Sequence, residues 1–107
     1  MPPLHDHAGV IHLHSAYSFD GHVDVREIVR AARDCRLDFL MLTDHGTLRA
    51  RDEGLEGWHD GLLLIVGEEI SPRFNHYLAF QIGSAVEIPE DGDASRPQGY
   101  IDAVASR

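Results

Sequence analysis

Apolar residues along this chain form short continuous runs, separated by polar segments that contain glycine. Phe39 to Thr43 and Leu62 to Val66 are unbroken apolar runs of strand length, a pattern typical of strands buried on both faces of a sheet. Tyr77 to Ile82, which is apolar except at Gln81, predicts another strand. Val10 to His14 alternates instead, which predicts a strand with His12 and His14 on one face.

After the first strand, apolar residues recur at the intervals typical of a helix. Asp24, with Glu27 three residues later, fits a capping box at a helix N-terminus. The apolar stripe of this helix is predicted to comprise Val25, Ile28, Val29, Ala32 and a buried Cys35. The segment 47–61 is polar and is predicted to be a loop with at most one helical turn, and Ser95 with Gln98 is predicted to cap a last helix.

The order strand, helix, strand, loop, strand, strand and helix predicts a single α/β domain over residues 1–107, with parallel strands and outer helices. In parallel α/β sheets and barrels, sites lie at the carboxyl ends of the strands. His14, Asp44-His45 and Glu68-Glu69 all follow predicted strands, so we expect them to lie together.

Charge and cysteine content narrow the function further. A formal charge of −9 argues against a nucleic-acid partner and against an anionic membrane surface. Cys35 is the single cysteine, which excludes an intrachain disulfide. The N-terminal residues contain no apolar run, so we expect no secretory signal and a cytoplasmic location.

The histidines carry the candidate chemistry. An His-x-His pair on a strand places both imidazoles on one face, about 7 Å apart at their roots, close enough to share a metal ion. Taken alone, His12 and His14 are more simply explained as two polar residues on an exposed strand face. Asp20, His45, Glu69 and His76 supply further nitrogen and oxygen donors near predicted strand ends. Such a set suits zinc, manganese or iron, and metal-bound water is the proposed nucleophile for a hydrolysis.

Three ordered segments resemble the signatures of the polymerase-and-histidinol-phosphatase (PHP) family. They are His12-Leu13-His14-Ser15-Ala16-Tyr17-Ser18-Phe19-Asp20-Gly21, Leu42-Thr43-Asp44-His45-Gly46, and Gly67-Glu68-Glu69-Ile70-Ser71 followed by His76-Tyr77-Leu78. The third segment is also similar to that of the carbaryl-hydrolase-like subgroup.

The resemblance implies a distorted barrel of about seven β/α units around one to three divalent metal ions. By position in the signatures, the implied metal ligands are His12, His14, Asp20, His45, Glu69 and His76. Asp44 matches a residue that supports His45, and Glu69 is chosen over Glu68 because the family pattern is Gly-x-Glu. Family members continue with further signatures, so we expect this domain to be truncated before them, with self-association as one consequence.

The resemblance implies a metal-dependent hydrolase, most simply a phosphoesterase acting on a small phosphorylated ester. Arg49, Arg51 and Arg73 lie in predicted rim loops and could hold the anionic group, although solvated loop charges are the simpler explanation for them. The alternatives are a metal-binding fragment without turnover and a PHP module associated with a DNA polymerase.

Overall fold

The computed structural model describes residues 1–72, 75–88 and 97–107. Within these residues the chain forms a mixed α/β structure with five strands and three helices. Along the chain the elements are β1 (Gly9–Leu13), α1 (Val25–Asp34), β2 (Phe39–His45), α2 (Arg49–Asp52), β3 (Gly57–His59), β4 (Leu62–Ile70), β5 (Tyr77–Phe80) and α3 (Pro97–Ala105). None of the described helices has the length and apolar character needed to cross a membrane.

The sheet combines a parallel and an antiparallel part. Strands β1, β2 and β4 are parallel neighbours, as predicted. The prediction of parallel strands is wrong for β5, which runs antiparallel to the second half of β4. Strand β3, for which no strand was predicted, runs antiparallel to the first half of β4. Only residues 71–76 join β4 to β5, whereas a parallel return needs a crossover of about a dozen residues or more.

Strand β3 falls inside the segment that was predicted to be a loop. It pairs with β4 through Gly57, Trp58 and His59, the last of which lies opposite Leu62. The two residues between the strands, Asp60 and Gly61, have positive φ angles of 48° and 89°. An Asp-Gly pair in this conformation is favoured in two-residue hairpin turns, so the sequence did contain a signal for this hairpin.

The two faces of the sheet differ in burial. Leu40 and Leu42 of β2 and Leu64 of β4 are buried in the core, to which α1 contributes Val25, Val29 and Ala32. The alternate residues on the opposite face, namely Phe39, Met41, Leu63 and Ile65, are half-buried. Each residue near the end of β2 or β4 therefore belongs either to the core face or to this more open face.

Helix α1 begins as the sequence predicts. Asp24 is its N-cap, and the carboxylate accepts a hydrogen bond from the backbone N–H of Arg26 at 2.8 Å. The prediction of a buried Cys35 is wrong: the thiol is exposed, because the helix ends at Asp34 and Cys35 lies beyond its last turn. Helix α3 begins at Pro97, and the predicted cap residue Ser95 lies outside the described residues.

Candidate metal centre

The centre begins at the carboxyl end of β1, where the chain is fastened to β2 by Asp44. The Asp44 carboxylate is buried and accepts hydrogen bonds from the backbone N–H of Ser15 at 2.6 Å and from its hydroxyl at 2.7 Å. These bonds fix the residue directly after His14. Asp44 therefore holds the loop after β1 through Ser15, and its described contacts do not include the imidazole of the neighbouring His45.

The loop that follows β1 turns back over the strand end. The Ser18 hydroxyl donates to Asp20 Oδ1 at 2.7 Å and accepts from the backbone N–H of His45 at 3.2 Å. Gly21 packs so tightly that an added Cβ would lie 2.0 Å from the carbonyl oxygen of Ser15. The glycine thus allows the close approach that brings Asp20 back to the histidines.

Glu69 lies at the centre of the cluster. Its Oε2 atom is 2.7 Å from His12 Nε2 and 2.6 Å from His14 Nε2. Its Oε1 atom accepts a hydrogen bond from the Ser71 hydroxyl at 3.1 Å and contacts His76 Nδ1. The side chain of Glu69 is only 2% exposed, whereas that of His76 is 65% exposed. A buried carboxylate therefore faces three imidazoles.

Asp20 and His45 form the other half of the cluster. Both carboxylate oxygens of Asp20 lie 2.9 Å from His14 Nδ1, and Oδ2 lies 3.1 Å from His45 Nε2. The His14 and His45 rings meet edge to face at 4.5 Å between centroids, and the Phe19 ring stacks on His45 at 4.8 Å. His14 thus lies between the two carboxylates, with one ring nitrogen directed to each.

Two overlapping groups of donors have a spacing that could hold a cation. His12, His14 and Glu69 form one group, and His14, Asp20 and His45 form the other, with ligand atoms within 4.8 Å of one another in each. His14 Nε2 is buried and, among the described residues, has no hydrogen-bond partner, although Glu69 Oε2 is 2.6 Å away. A cation coordinated by both atoms would satisfy them, so the residues present fit a divalent metal ion.

The charges of the cluster are coupled. Burial opposes ionisation of Glu69, but hydrogen bonds with His12, His76 and Ser71 outweigh it and lower the pKa of the carboxyl to about 2. The hydrogen bond from Ser18, together with that from His14, holds the pKa of Asp20 well below its usual range. Burial also disfavours the charged form of His14, but the adjacent Asp20 and Glu69 carboxylates outweigh it and raise its pKa. Both carboxylates are therefore anionic near neutral pH.

The six residues that the resemblance implied as ligands all lie in this cluster. Glu68 does not belong to the cluster, because it lies on the opposite face of β4 and is fully buried there. Its Oε2 atom accepts a hydrogen bond from the backbone N–H of Val86 at 2.8 Å. Burial raises the pKa of Glu68. In the sheet, Glu68 is paired with Asp44 of β2, and Glu69 is paired with His45. The two adjacent carboxylates of β4 therefore project to opposite faces of the sheet.

The arginines predicted to lie in rim loops also differ in their contacts. Arg49 lies over the ring of Tyr17 at 4.5 Å and donates from Nε to Glu53 at 2.8 Å, which holds its guanidinium beside the loop that carries Asp20. Arg51 instead donates to the carbonyl oxygens of Ile82 and Gly83 and fastens α2 to the segment after β5. Arg73 lies outside the described residues.

Three serines complete the site and were not identified from the sequence. Ser15 binds Asp44, Ser18 binds Asp20, and Ser71 lies 3.1 Å from Nδ1 of both His45 and His76. A serine next to a candidate ligand is too common to be a signal by itself. The spacing of Ser18 two residues before Asp20 is the one feature that could have suggested a side-chain hydrogen bond within the turn.

The fold and this cluster together define a mixed α/β protein with histidine and carboxylate groups suited to hold a metal at the strand ends. The chain belongs to the PHP domain family, since a family model with the description PHP domain matches residues 11–95. The family is one of metal-dependent hydrolases that bind divalent ions, in agreement with the donors present. No curated protein and no solved structure matches the chain.

Proposed function

We propose that this chain is a divalent-metal-dependent phosphoesterase whose metal ligands are His12, His14, Asp20, His45, Glu69 and His76. The observation that carries the proposal is the contact of the buried Glu69 carboxylate with three imidazoles, next to a second carboxylate on Asp20. Imidazole and carboxylate donors suit zinc, manganese or iron, and one to three ions are proposed. The sheet would form part of the distorted barrel to which the family resemblance points.

The roles of the residues follow from their positions. A divalent ion bound here would act as a Lewis acid on a phosphoryl oxygen and lower the pKa of water. Glu69 and Asp20 supply the negative charge that retains the ion, and His14 lies between them. Ser18 and Ser71 hold these carboxylates by hydrogen bonds, so that the donors are oriented before an ion arrives.

Arg49 is the proposed contact for the anionic part of the substrate. Glu53 and Tyr17 fix the guanidinium on one side, through Nε and through the ring face. A planar guanidinium held in this way is suited to bind a phosphate group with little loss of side-chain freedom. We therefore assign a small phosphorylated ester as the substrate class.

The test compares two adjacent glutamates. Metal content of the purified protein is measured by elemental analysis, and hydrolysis of p-nitrophenyl phosphate esters is measured with added manganese or zinc. We expect Glu69→Gln to lose both metal and hydrolysis. Glu68→Gln is the matched control and should retain metal, because that side chain lies on the other face and its amide oxygen can still accept from Val86.

Each outcome separates the parts of the proposal. Equal metal content in the wild type and the Glu69→Gln variant, with the fold intact by circular dichroism, would refute the metal centre. Bound metal without hydrolysis of any phosphate ester would refute the phosphoesterase and leave a metal-binding domain without turnover.

A further inference from the structure

Phe19 is a large apolar side chain that is 84% exposed although it lies directly beside the candidate metal centre. The residues on either side of it, Ser18 and Asp20, are both bonded into the centre. The backbone N–H of Gly21 donates to the carbonyl oxygen of Ser18 at 3.1 Å and closes the turn that contains Phe19. The ring is therefore presented to solvent from a backbone that is fixed on both sides.

One face of the Phe19 ring already contacts another side chain. It stacks on the His45 imidazole with 4.8 Å between centroids and 27° between planes, and His45 Nε2 lies 3.1 Å from Asp20 Oδ2. The high exposure shows that the rest of the ring is open. An open aromatic face beside a reaction centre offers an offset-stacking platform for a planar apolar group.

We propose that Phe19 is a specificity-determining residue that selects esters with a planar aromatic group, which stacks on the open face of its ring. The inference rests on the proposed function, since the phosphoryl group of the same ester must lie at the metal centre. The ring belongs to the site by contact with His45, which distinguishes it from isolated exposed apolar residues that need no functional explanation.

A competing explanation gives the ring a structural task, to shield His45 from water and so hold it for the metal. The two explanations differ in what they predict for ligands. A shield affects every phosphoryl ligand equally, whereas a stacking platform affects only those with a planar group. The ratio of affinities for an aromatic and an aliphatic ligand therefore separates them.

The experiment uses two ligands that do not undergo hydrolysis, phenylphosphonate and methylphosphonate, which are titrated calorimetrically into the metal-loaded protein. The wild type should prefer phenylphosphonate by about two- to tenfold, the range expected for one aromatic stacking contact. Phe19→Ala and Phe19→Leu should abolish this preference, and Phe19→Tyr should keep it. Val23→Ala, which truncates a nearby exposed apolar residue outside the cluster, is the matched control and should keep it too.

The outcomes distinguish this inference from the function on which it rests. Equal binding of the two phosphonates by the wild type, or a preference that survives in Phe19→Ala, would overturn the inference alone. Failure of both ligands to bind the metal-loaded wild type would overturn the phosphoesterase proposal, and the inference with it. Loss of metal in Phe19→Ala, with both metal and preference retained in Phe19→Leu, would assign the ring to shielding His45 and also overturn the inference.

Discussion

Replacement of Asp44 by asparagine tests how the fold holds the candidate metal centre in place. The buried carboxylate accepts two hydrogen bonds from Ser15, at 2.6 and 2.7 Å, and these bonds join the end of β1 to β2. Asparagine has nearly the same shape but only one side-chain acceptor oxygen. One of the two Ser15 donors must therefore lose its acceptor or rotate, and the other keeps a bond to a neutral group.

The expected loss follows from these two bonds. A hydrogen bond to a charged group contributes about 1.5–3 kcal/mol, and an unpaired buried donor costs about as much. With partial compensation by rotation of the hydroxyl, we expect Asp44→Asn to lower the free energy of unfolding by about 2–3 kcal/mol. For a domain near this size, such a loss lowers the melting temperature by roughly 10–20 °C. Because the affected loop carries Asp20, metal affinity should also fall by roughly 10–100-fold.

Asp38 provides a matched control at the other end of β2. It accepts one hydrogen bond, from the backbone N–H of Ala8 at 2.8 Å, and its side chain is 48% exposed. Asparagine can keep that bond, so Asp38→Asn should cost less than about 1 kcal/mol and leave metal binding unchanged. Urea denaturation and metal titration of both variants measure the difference. Equal losses in the two variants, or a loss below about 1 kcal/mol in Asp44→Asn, would refute the reasoning.

Two further predictions concern the loop and the coupled charges. Gly21→Ala should abolish metal binding, because the added Cβ would lie 2.0 Å from the carbonyl oxygen of Ser15. In the control Gly99→Ala, in helix α3, the added Cβ meets no atom within 4 Å, so this variant should be more stable by about 0.5–1 kcal/mol. Thermal unfolding and metal analysis of both variants check this, and tight metal binding by Gly21→Ala would contradict it. Metal affinity should rise with pH through the raised pKa of His14, since the ion competes with a proton for this ring. In the metal-free protein, the contribution of His14 to stability is complete below its ordinary pKa of 6.5 and is lost as pH rises through the raised value. The contribution of Glu69 is complete above its ordinary pKa of 4.5 and is lost as pH falls toward about 2. The stability that these two groups contribute together should therefore be greatest between pH 4.5 and 6.5, and a melting temperature that does not vary with pH would contradict this.

Part of the candidate site was predictable from the sequence pattern, because His45 and Glu69 follow apolar runs that predict strands, and the ends of parallel strands meet at one edge. The full set of candidate ligands came only from the family resemblance. The antiparallel direction of β5 was predicted wrongly, although its short connection to β4 is a signal for it. The different contacts of Arg49, with Glu53, and of Arg51, with the Ile82 carbonyl, were not predictable from the sequence. Both are arginines of one short helix, and only their tertiary contacts distinguish them. The choice between Glu68 and Glu69 depends on the register of β4, which local sequence does not determine.

That register has a consequence for which carboxylate of β4 joins the candidate ligands. The run Leu62 to Val66 is apolar at every position, so a displacement of β4 by one residue would leave apolar side chains on both faces and meet little opposition from burial. Such a strand would place Glu68 beside His45 in place of Glu69. The two-residue turn at Asp60 and Gly61 fixes which residues of β3 and β4 are paired, and it lies about 26 Å along the strand from Glu69. The turn leaves the pairing of β2 with β4 open, and that pairing determines which carboxylate lies beside His45. Metal uptake would therefore report whether β2 and β4 had paired in the correct register.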